Sequence, residues 1–535
     1  MINSNFSSWT PWTQPSLPYY LVSTLDPSFD PLRQYIGKPL FTSVLLFREG
    51  QATWVFRQSE AADLGRRMLD HLLVPSHRAA FEDRLEKSTD DLLGVLDSTG
   101  THTPTSVSEV LDEIDTVQRA FSAFYQLGAF VEPVQIAGQA NINAYLESHG
   151  DELEEAVGAP VERLRDAIYS LPALSFAVEI SASLGAVARA LDEASTGPAD
   201  VEFLASGPAV APLVAEHIRR FSWSKNNYER CFLLREEHIL GEIEDLGGPH
   251  AAAKALERQV LDANEELRSS SELKGEILSR LPRYEAALVS LHDLVGGHLV
   301  DLRKRLVMMT NGVLTPLLAS LSELTDTDLG RLLLLLPSEL RDFGENPKWY
   351  EERLARRSED FLVYQADFGV LDELAQGDTG RFIAMDGPVV AEGEAQVESL
   401  LERLATRLNL LDEAPGLAAR IKGTVVYSTA EQHPLRGIAR IVKDPFTDPI
   451  EPGEILVASS TTPDFMPAIH RASAIVTDWG GLTSHAAITA RELKKPCLIG
   501  TNFASSVFRS GETIEIDFVD GEVKRVGQGD GHAAH

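Results

Sequence analysis

Residues 473–501 read SAIVTDWGGLTSHAAITARELKKPCLIGT, and the C-terminal fold is decided here. The apolar run Ala474–Val476 predicts a strand that ends at Thr477-Asp478. Gly480-Gly481 then allow a tight turn and the close backbone approach of a ligand. Thr483 or Ser484 supplies an N-cap for a helix expected over Ser484–Leu493, which puts His485 in the first helical turn. Free N–H groups and the positive dipole end gather there, so the position favours an anionic group such as a phosphoryl. An imidazole titrates near neutrality and can attack phosphorus as the neutral base, then depart as a good leaving group. A Thr483 hydroxyl is expected to hold the second ring nitrogen. A solitary histidine is usually structural; the strand, glycine pair, Thr-Ser pair and helix around this one favour chemistry.

The same texture extends outward. TVVYS, GIARIV, EILVAS, PCLIGT and ETIEIDF read as short strands between Gly/Pro turns, defining an α/β domain over residues 413–527. Residues 528–535 are expected to be a disordered tail. Upstream, residues 106–412 are read as a large all-α domain, because apolar positions recur at three- and four-residue spacings. SVSEVLDEIDTVQRAFSAFYQLGAF (106–130), RCFLLREEHILGEIEDLG (230–247) and PKWYEERLARRSEDFLVYQ (347–365) carry that pattern. Residues 373–396 are poorer in pattern and are read as a loop. Residues 1–105 form a small α+β module: KPLFTSVLLFREGQATWVFRQ (38–58) predicts a hairpin turning at Glu49-Gly50, and a helix follows. A Trp/Pro-rich arm with Trp9 and Trp12 precedes it as a docking or capping segment. The fold class is therefore multidomain α+β.

Composition narrows the function. Eighty acidic against 48 basic residues give a net charge of −32, which argues against nucleic-acid or anionic-membrane partners. Two cysteines, Cys231 and Cys497, make neither a disulfide framework nor a zinc site and fit a reducing compartment. The N-terminus has no basic and apolar secretory pattern, and no run approaches a membrane span, so a cytoplasmic location is expected. No cluster of metal ligands is visible, and no metal is assigned.

The stretch from Gly480 to Thr501 closely resembles the swivelling phosphohistidine domain of phosphoenolpyruvate-utilising enzymes, which include pyruvate phosphate dikinase, phosphoenolpyruvate synthase and rifampin phosphotransferase. GIARIVKDP (437–445), EPGEILVASSTTPDFMPAI (451–469) and GETIEIDFVDGEVKRV (511–526) match family segments in the same order. The resemblance implies that His485 is phosphorylated on Nε2. It implies a pocket shaped by Gly480, Gly481, Thr483, Ser484 and Arg491. Arg491 and Glu492 match the family's Ala-Arg-Glu and would assist docking; Arg491 lies nearly opposite His485 on an ideal helix. Asp464 is another matching position, with a turn-forming or functional role. STAEQHPLRG (428–437) departs from the family's shorter entry turn, and its His433 is incidental.

The helical segment more weakly resembles the central region of rifampin phosphotransferase, through RCFLLREE, LTDTDLGRLLLLLPSEL and WYEERLARRSEDFLVY. That likeness implies an acceptor pocket for a small organic hydroxyl compound. Candidate lining residues are Trp223, Asn227, Tyr228, Arg230, Arg235 and His238, with Asn227, Arg230, Leu234 and His238 sharing one helical face. No nucleotide-binding motif is found. The expected arrangement is a dikinase-type phosphotransferase subunit. An ATP-grasp partner would hold ATP and Mg²⁺ and phosphorylate His485. Two alternatives remain open: a phosphohistidine-dependent ligase or condensing enzyme of natural-product biosynthesis, and a non-catalytic phosphocarrier or regulatory protein.

Overall fold

The structure is a computed structural model. It describes residues 9–15, 43–48, 51–99, 104–128, 131–195, 205–226, 231–365 without 233 and 359, 389–397 without 394, and 420–526 without 429–433, 444, 446–447, 463–464, 479, 481–483 and 502–503. The Glu49-Gly50 turn, the loop core before Val389, His433, Asp464 and the 528–535 tail lie outside the described residues.

Among the described residues, five strands make the first sheet, β1 (Trp9–Pro15), β2 (Ser43–Arg48), β3 (Gln51–Arg57), β4 (Asp360–Gln365) and β5 (Val389–Glu392), in the order β1-β3-β2-β4-β5. The expected hairpin is β2–β3. The Trp/Pro-rich arm is itself an edge strand, antiparallel to β3 with Trp12 opposite Trp54. Its edge position accommodates Pro11 and Pro15, since an edge strand leaves alternate N–H groups unused. Two readings change here. The periodic run through 365 is not one helix: the helix ends at Arg357, and the β-branched and aromatic DFLVYQ segment joins the sheet beside β2. Val389–Glu392, placed in a loop by sequence, is the fifth strand. The sheet therefore draws on residues both before position 105 and well after it.

The helices that follow β3 are α1 (Gln58–Leu72), α2 (Pro75–Ser98), α3 (Val107–Gly128), α4 (Val131–Val157), α5 (Val161–Tyr169), α6 (Phe176–Ala194), α7 (Ala211–Phe221) and α8 (Glu236–Asp245). After them come α9 (Pro249–Arg280), α10 (Arg283–His292), a π-helical turn (Asp293–Leu299), α11 (Val300–Thr325), α12 (Leu340–Glu345) and α13 (Pro347–Arg357). Phe81, Leu92, Ile114, Phe124, Leu164 and Leu318 are among the side chains that fill one shared core. Arg357 ties this helical body to the sheet. Its side chain is 0% exposed and meets Glu339 at 2.6 Å and Glu392 of β5 at 2.8 Å.

The C-terminal domain contains β6 (Ile421–Lys422), β7 (Thr424–Tyr427), β8 (Leu435–Ile441), β9 (Ile455–Ala458), α14 (Met466–Arg471), β10 (Ala474–Thr477), α15 (His485–Glu492), β11 (Cys497–Ile499), β12 (Thr513–Asp517) and β13 (Glu522–Arg525). The eight strands run in the order β6-β13-β12-β8-β9-β10-β11-β7, with β8, β9, β10 and β11 parallel. β9, β10 and β11 are buried along their whole length, as parallel strands covered on both faces must be. β6 and β7 occupy opposite ends of the order yet are separated only by Gly423, so the sheet curls toward closure. At Gly423 a Cβ would stand 2.8 Å from the Ile499 carbonyl oxygen, which explains the glycine. Ala486, Ala487 and Ala490 of α15 join the same apolar core as the helical body. Among the described residues, no helix is long and apolar enough to cross a membrane.

Candidate active site

β10 delivers the chain to Asp478, whose carboxylate accepts bonds from Thr501 Oγ1 (3.1 Å) and from Ser505 N (3.0 Å) and Oγ. Burial nevertheless raises its pKa to about 6. This anchors the strand end before the turn. Gly480 follows at φ +138°, and a Cβ there would lie 2.7 Å from Ser484 Oγ, so the position requires glycine. Ser484 is the N-cap, its Oγ accepting from Ala487 N at 3.3 Å. Gly481 and Thr483 lie outside the described residues.

His485 occupies the first turn of α15 and is 6% exposed. Its Nδ1 lies 2.9 Å from Thr461 Oγ1, in the loop after β9. Its Nε2 is 3.5 Å from Thr489 Oγ1, one turn along α15. Burial, and then the ammonium of Lys304 on α11, push the imidazole well below its ordinary pKa. The ring is therefore neutral at physiological pH, the state in which Nε2 has a lone pair to offer. Thr461 and Lys304 are the two neighbours that sequence reasoning missed.

His485, Thr489 and Glu492 are four and then three residues apart, so one helical face carries all three. That face rests on the helical body. Ser175 Oγ donates to Glu492 Oε1 at 2.8 Å. Burial first, and then the nearby Asp301 of α11, raise the Glu492 pKa to about 7. Arg491 points elsewhere. Its Nε and Nη2 are buried, and its strongest electrostatic partner is Asp166 of α5, with Glu266 of α9 behind it. Arg491 thus meets the body rather than the imidazole, in keeping with its place away from the His485 side.

The expected acceptor residues divide. Trp223 is buried against Phe176, with ring centroids 5.4 Å apart, and Arg305 of α11 lies over its ring at 5.6 Å. It therefore belongs to the region that receives α15. Arg235 and His238 instead begin α8, where Arg235 N donates to His238 Nδ1 at 3.0 Å. Asn227, Tyr228 and Arg230 lie outside the described residues. The shared helical face drawn through Leu234 does not form, because α8 starts only at Glu236. Upstream, the Asn226 side chain accepts from Phe232 N at 2.8 Å. Among the described residues, no group of three or more His, Cys, Asp or Glu side chains is placed to hold a metal ion.

A buried parallel sheet that presents a histidine at a helix N-terminus beside a glycine turn defines the class. Residues 450–521 match the family described as PEP-utilising enzyme, mobile domain. The C-terminal domain is thus similar to the mobile domain of the phosphoenolpyruvate-utilising enzymes, a phosphotransfer family. It is 37% identical over 146 residues to a probable phosphoenolpyruvate synthase of Methanothermobacter thermautotrophicus, covering 27% of this chain and 19% of that protein. It is 34% identical over 150 residues to the phosphoenolpyruvate synthase of Pyrococcus furiosus, covering 27% and 16%. With the Aquifex aeolicus phosphoenolpyruvate synthase the identity is 45% over 94 residues, covering 17% and 11%. Each match thus spans less than a fifth of the relative's length.

Proposed function

We propose that this chain carries a phosphoryl group on His485 Nε2 and delivers it to a small organic hydroxyl compound held by the helical body. The observation that carries this reading is Thr461 Oγ1 on Nδ1, together with the positive charge of Lys304 acting on the ring from the helical body. Nδ1 keeps its proton and donates it to Thr461 Oγ1, which leaves Nε2 as the nucleophile. In delivery the Nε2–P bond breaks with its electron pair returning to Nε2, an O–P bond forms, the acceptor hydroxyl's proton passes to solvent, and the imidazole departs neutral with Nδ1 still protonated. Lys304 offsets the phosphoryl charge during transfer, because positioning and charge neutralisation dominate this chemistry. The apolar contact around α15 keeps water from the labile N–P bond while the domain is docked.

The phosphate source in this reading is an ATP-grasp module with Mg²⁺ on a partner protein, and the carrier domain alternates between the two stations. The likeness to phosphoenolpyruvate synthases supports the phosphohistidine step. Mass spectrometry of the chain incubated with ATP and lysate, wild type against His485→Ala, tests it. An acid-labile phosphate is expected on the wild type alone; the same phosphate on the variant would sink the assignment. Label taken from ATP by the isolated chain would instead overturn the separate donor.

A further inference from the structure

Two carboxylates from different domains converge on the N-terminus of α6. Ser175 occupies the N-cap position, yet its hydroxyl makes no cap within its own helix and donates to Glu492 of the carrier domain. The next residue, Phe176, gives its backbone N–H to Asp301 Oδ1 at 3.4 Å. A helix start that would ordinarily be capped by its own serine is thus completed by one acid from the body and one from the moving domain.

We propose that Glu492, seated on Ser175 near Asp301, is a proton-linked latch: docking of the carrier domain takes up a proton, and loss of that proton releases the domain. This rests on the reading of residues 413–527 as a mobile phosphohistidine carrier and adds the control of its movement. Swung away, Glu492 is solvated and ionises in the ordinary carboxylate range. Docked, burial and Asp301 raise it to about 7, while Asp301 itself reaches about 6, mainly through burial. A group whose pKa rises on docking favours the docked state below that pKa, and the advantage disappears as pH climbs through about 7.

The other charges around this contact do not reproduce that response. From α11, Lys304 and Arg305 hold the Asp301 carboxyl down, and Glu179 of α6 pushes it up. On α15, His485 is neutral. Burial lowers the pKa of the Arg491 guanidinium from its ordinary high value, and Asp166 and Glu266 oppose that shift. His292 of α10, whose ring Arg491 also influences, is pushed down to about 3, and Cys497 of β11 is pushed up to about 12, so neither titrates near 7. Asp166 is raised by burial and held back by Arg491. It adds to any response at the acid end and remains in every variant below.

The test reads docking directly. Fluorescent labels go on cysteines introduced at the exposed Glu265 and Asp520 in a Cys231→Ser background, and energy transfer is followed between pH 6 and 8. One carboxyl moving from its ordinary value to about 7 gives a roughly tenfold fall in the docking constant over that interval. Glu492→Gln still accepts from Ser175 and should flatten the curve; Asp301→Asn should make it shallower. A wild-type curve without slope, or a Glu492→Gln curve matching wild type, overturns the latch. Phosphate on His485 is measured in the same samples. A chain that docks with the expected pH dependence yet takes no phosphate would count against the function and not against the latch.

Discussion

Thr461 Oγ1, in the loop after β9, and His485 Nδ1, in the first turn of α15, meet at 2.9 Å, so the imidazole is oriented by a residue outside its own motif. Thr461→Val keeps the shape and removes the hydroxyl. Losing a hydrogen bond to a group that becomes charged costs about 1.5–3 kcal/mol, which corresponds to a roughly ten- to hundredfold slower phosphorylation of His485. Thr461→Ser should restore most of the rate, measured by rapid quench and acid-labile phosphate.

Lys304→Met separates the two half-reactions. Lys304 belongs to the helical body and acts on His485 across the domain contact, which in the proposed cycle exists only at the acceptor station. Loading of His485 should therefore stay at the wild-type rate, while delivery to the acceptor falls roughly a hundredfold, as when a preorganised charge-stabilising group is removed. Single-turnover chase of the phosphorylated chain distinguishes the steps, and an equal loss in both would refute the placement of Lys304 at the acceptor side.

Gly480→Ala places a side chain at φ +138° and against Ser484 Oγ. The strain is of order 1–3 kcal/mol and disturbs the cap of α15. Thermal unfolding of the carrier domain should begin several degrees lower, with His485 phosphorylation reduced even below the transition. Unchanged melting would show that the turn relaxes without penalty.

Arg357→Met removes the fully buried one of the two cations that Glu339 and Glu392 share, leaving Arg353 in place, a loss of about 1.5–3 kcal/mol. Burial pushes the Glu392 carboxyl up, but Arg357, followed by Arg353, outweighs it and holds the pKa below the ordinary range. The pair therefore stabilises the protein above that range, and the contribution fades as pH falls through the lowered value. Wild-type stability should drop on acidification below about pH 4.5, and the variant should show a weaker drop there. Denaturant titrations at pH 7 and pH 4 measure both.

Much of the carrier domain was legible because its local signals agree. The uniformly apolar strands, the glycine at Gly480 and the serine cap place α15 to within a residue or two of its observed span. The partner of Nδ1 was not legible: Thr461 is 24 residues from His485, and only the packing of β9 beside β10 brings it near. Lys304 sits within the Arg-Lys-Arg run of an amphipathic helix, which on periodicity alone is a solvated face. The helix reading of 358–365 failed because apolar spacing continues past Ser358 while the backbone changes to strand. Leu234 lies outside the helix that begins at Glu236, so spacing alone overran the helix start there.

The pairing of β2 with β4 has a consequence for how the chain is made. Leu45 lies opposite Val363, at the far side of the whole helical body in sequence. An emerging polypeptide must hold its first strands unpartnered on that side until the second pair leaves the ribosome, a wait of many seconds at ordinary rates of synthesis. Pairing over so long a loop is slow and concludes assembly rather than starting it. The carrier domain is synthesised after β4 and β5, so it emerges beside a body whose last structural seam is only then able to close.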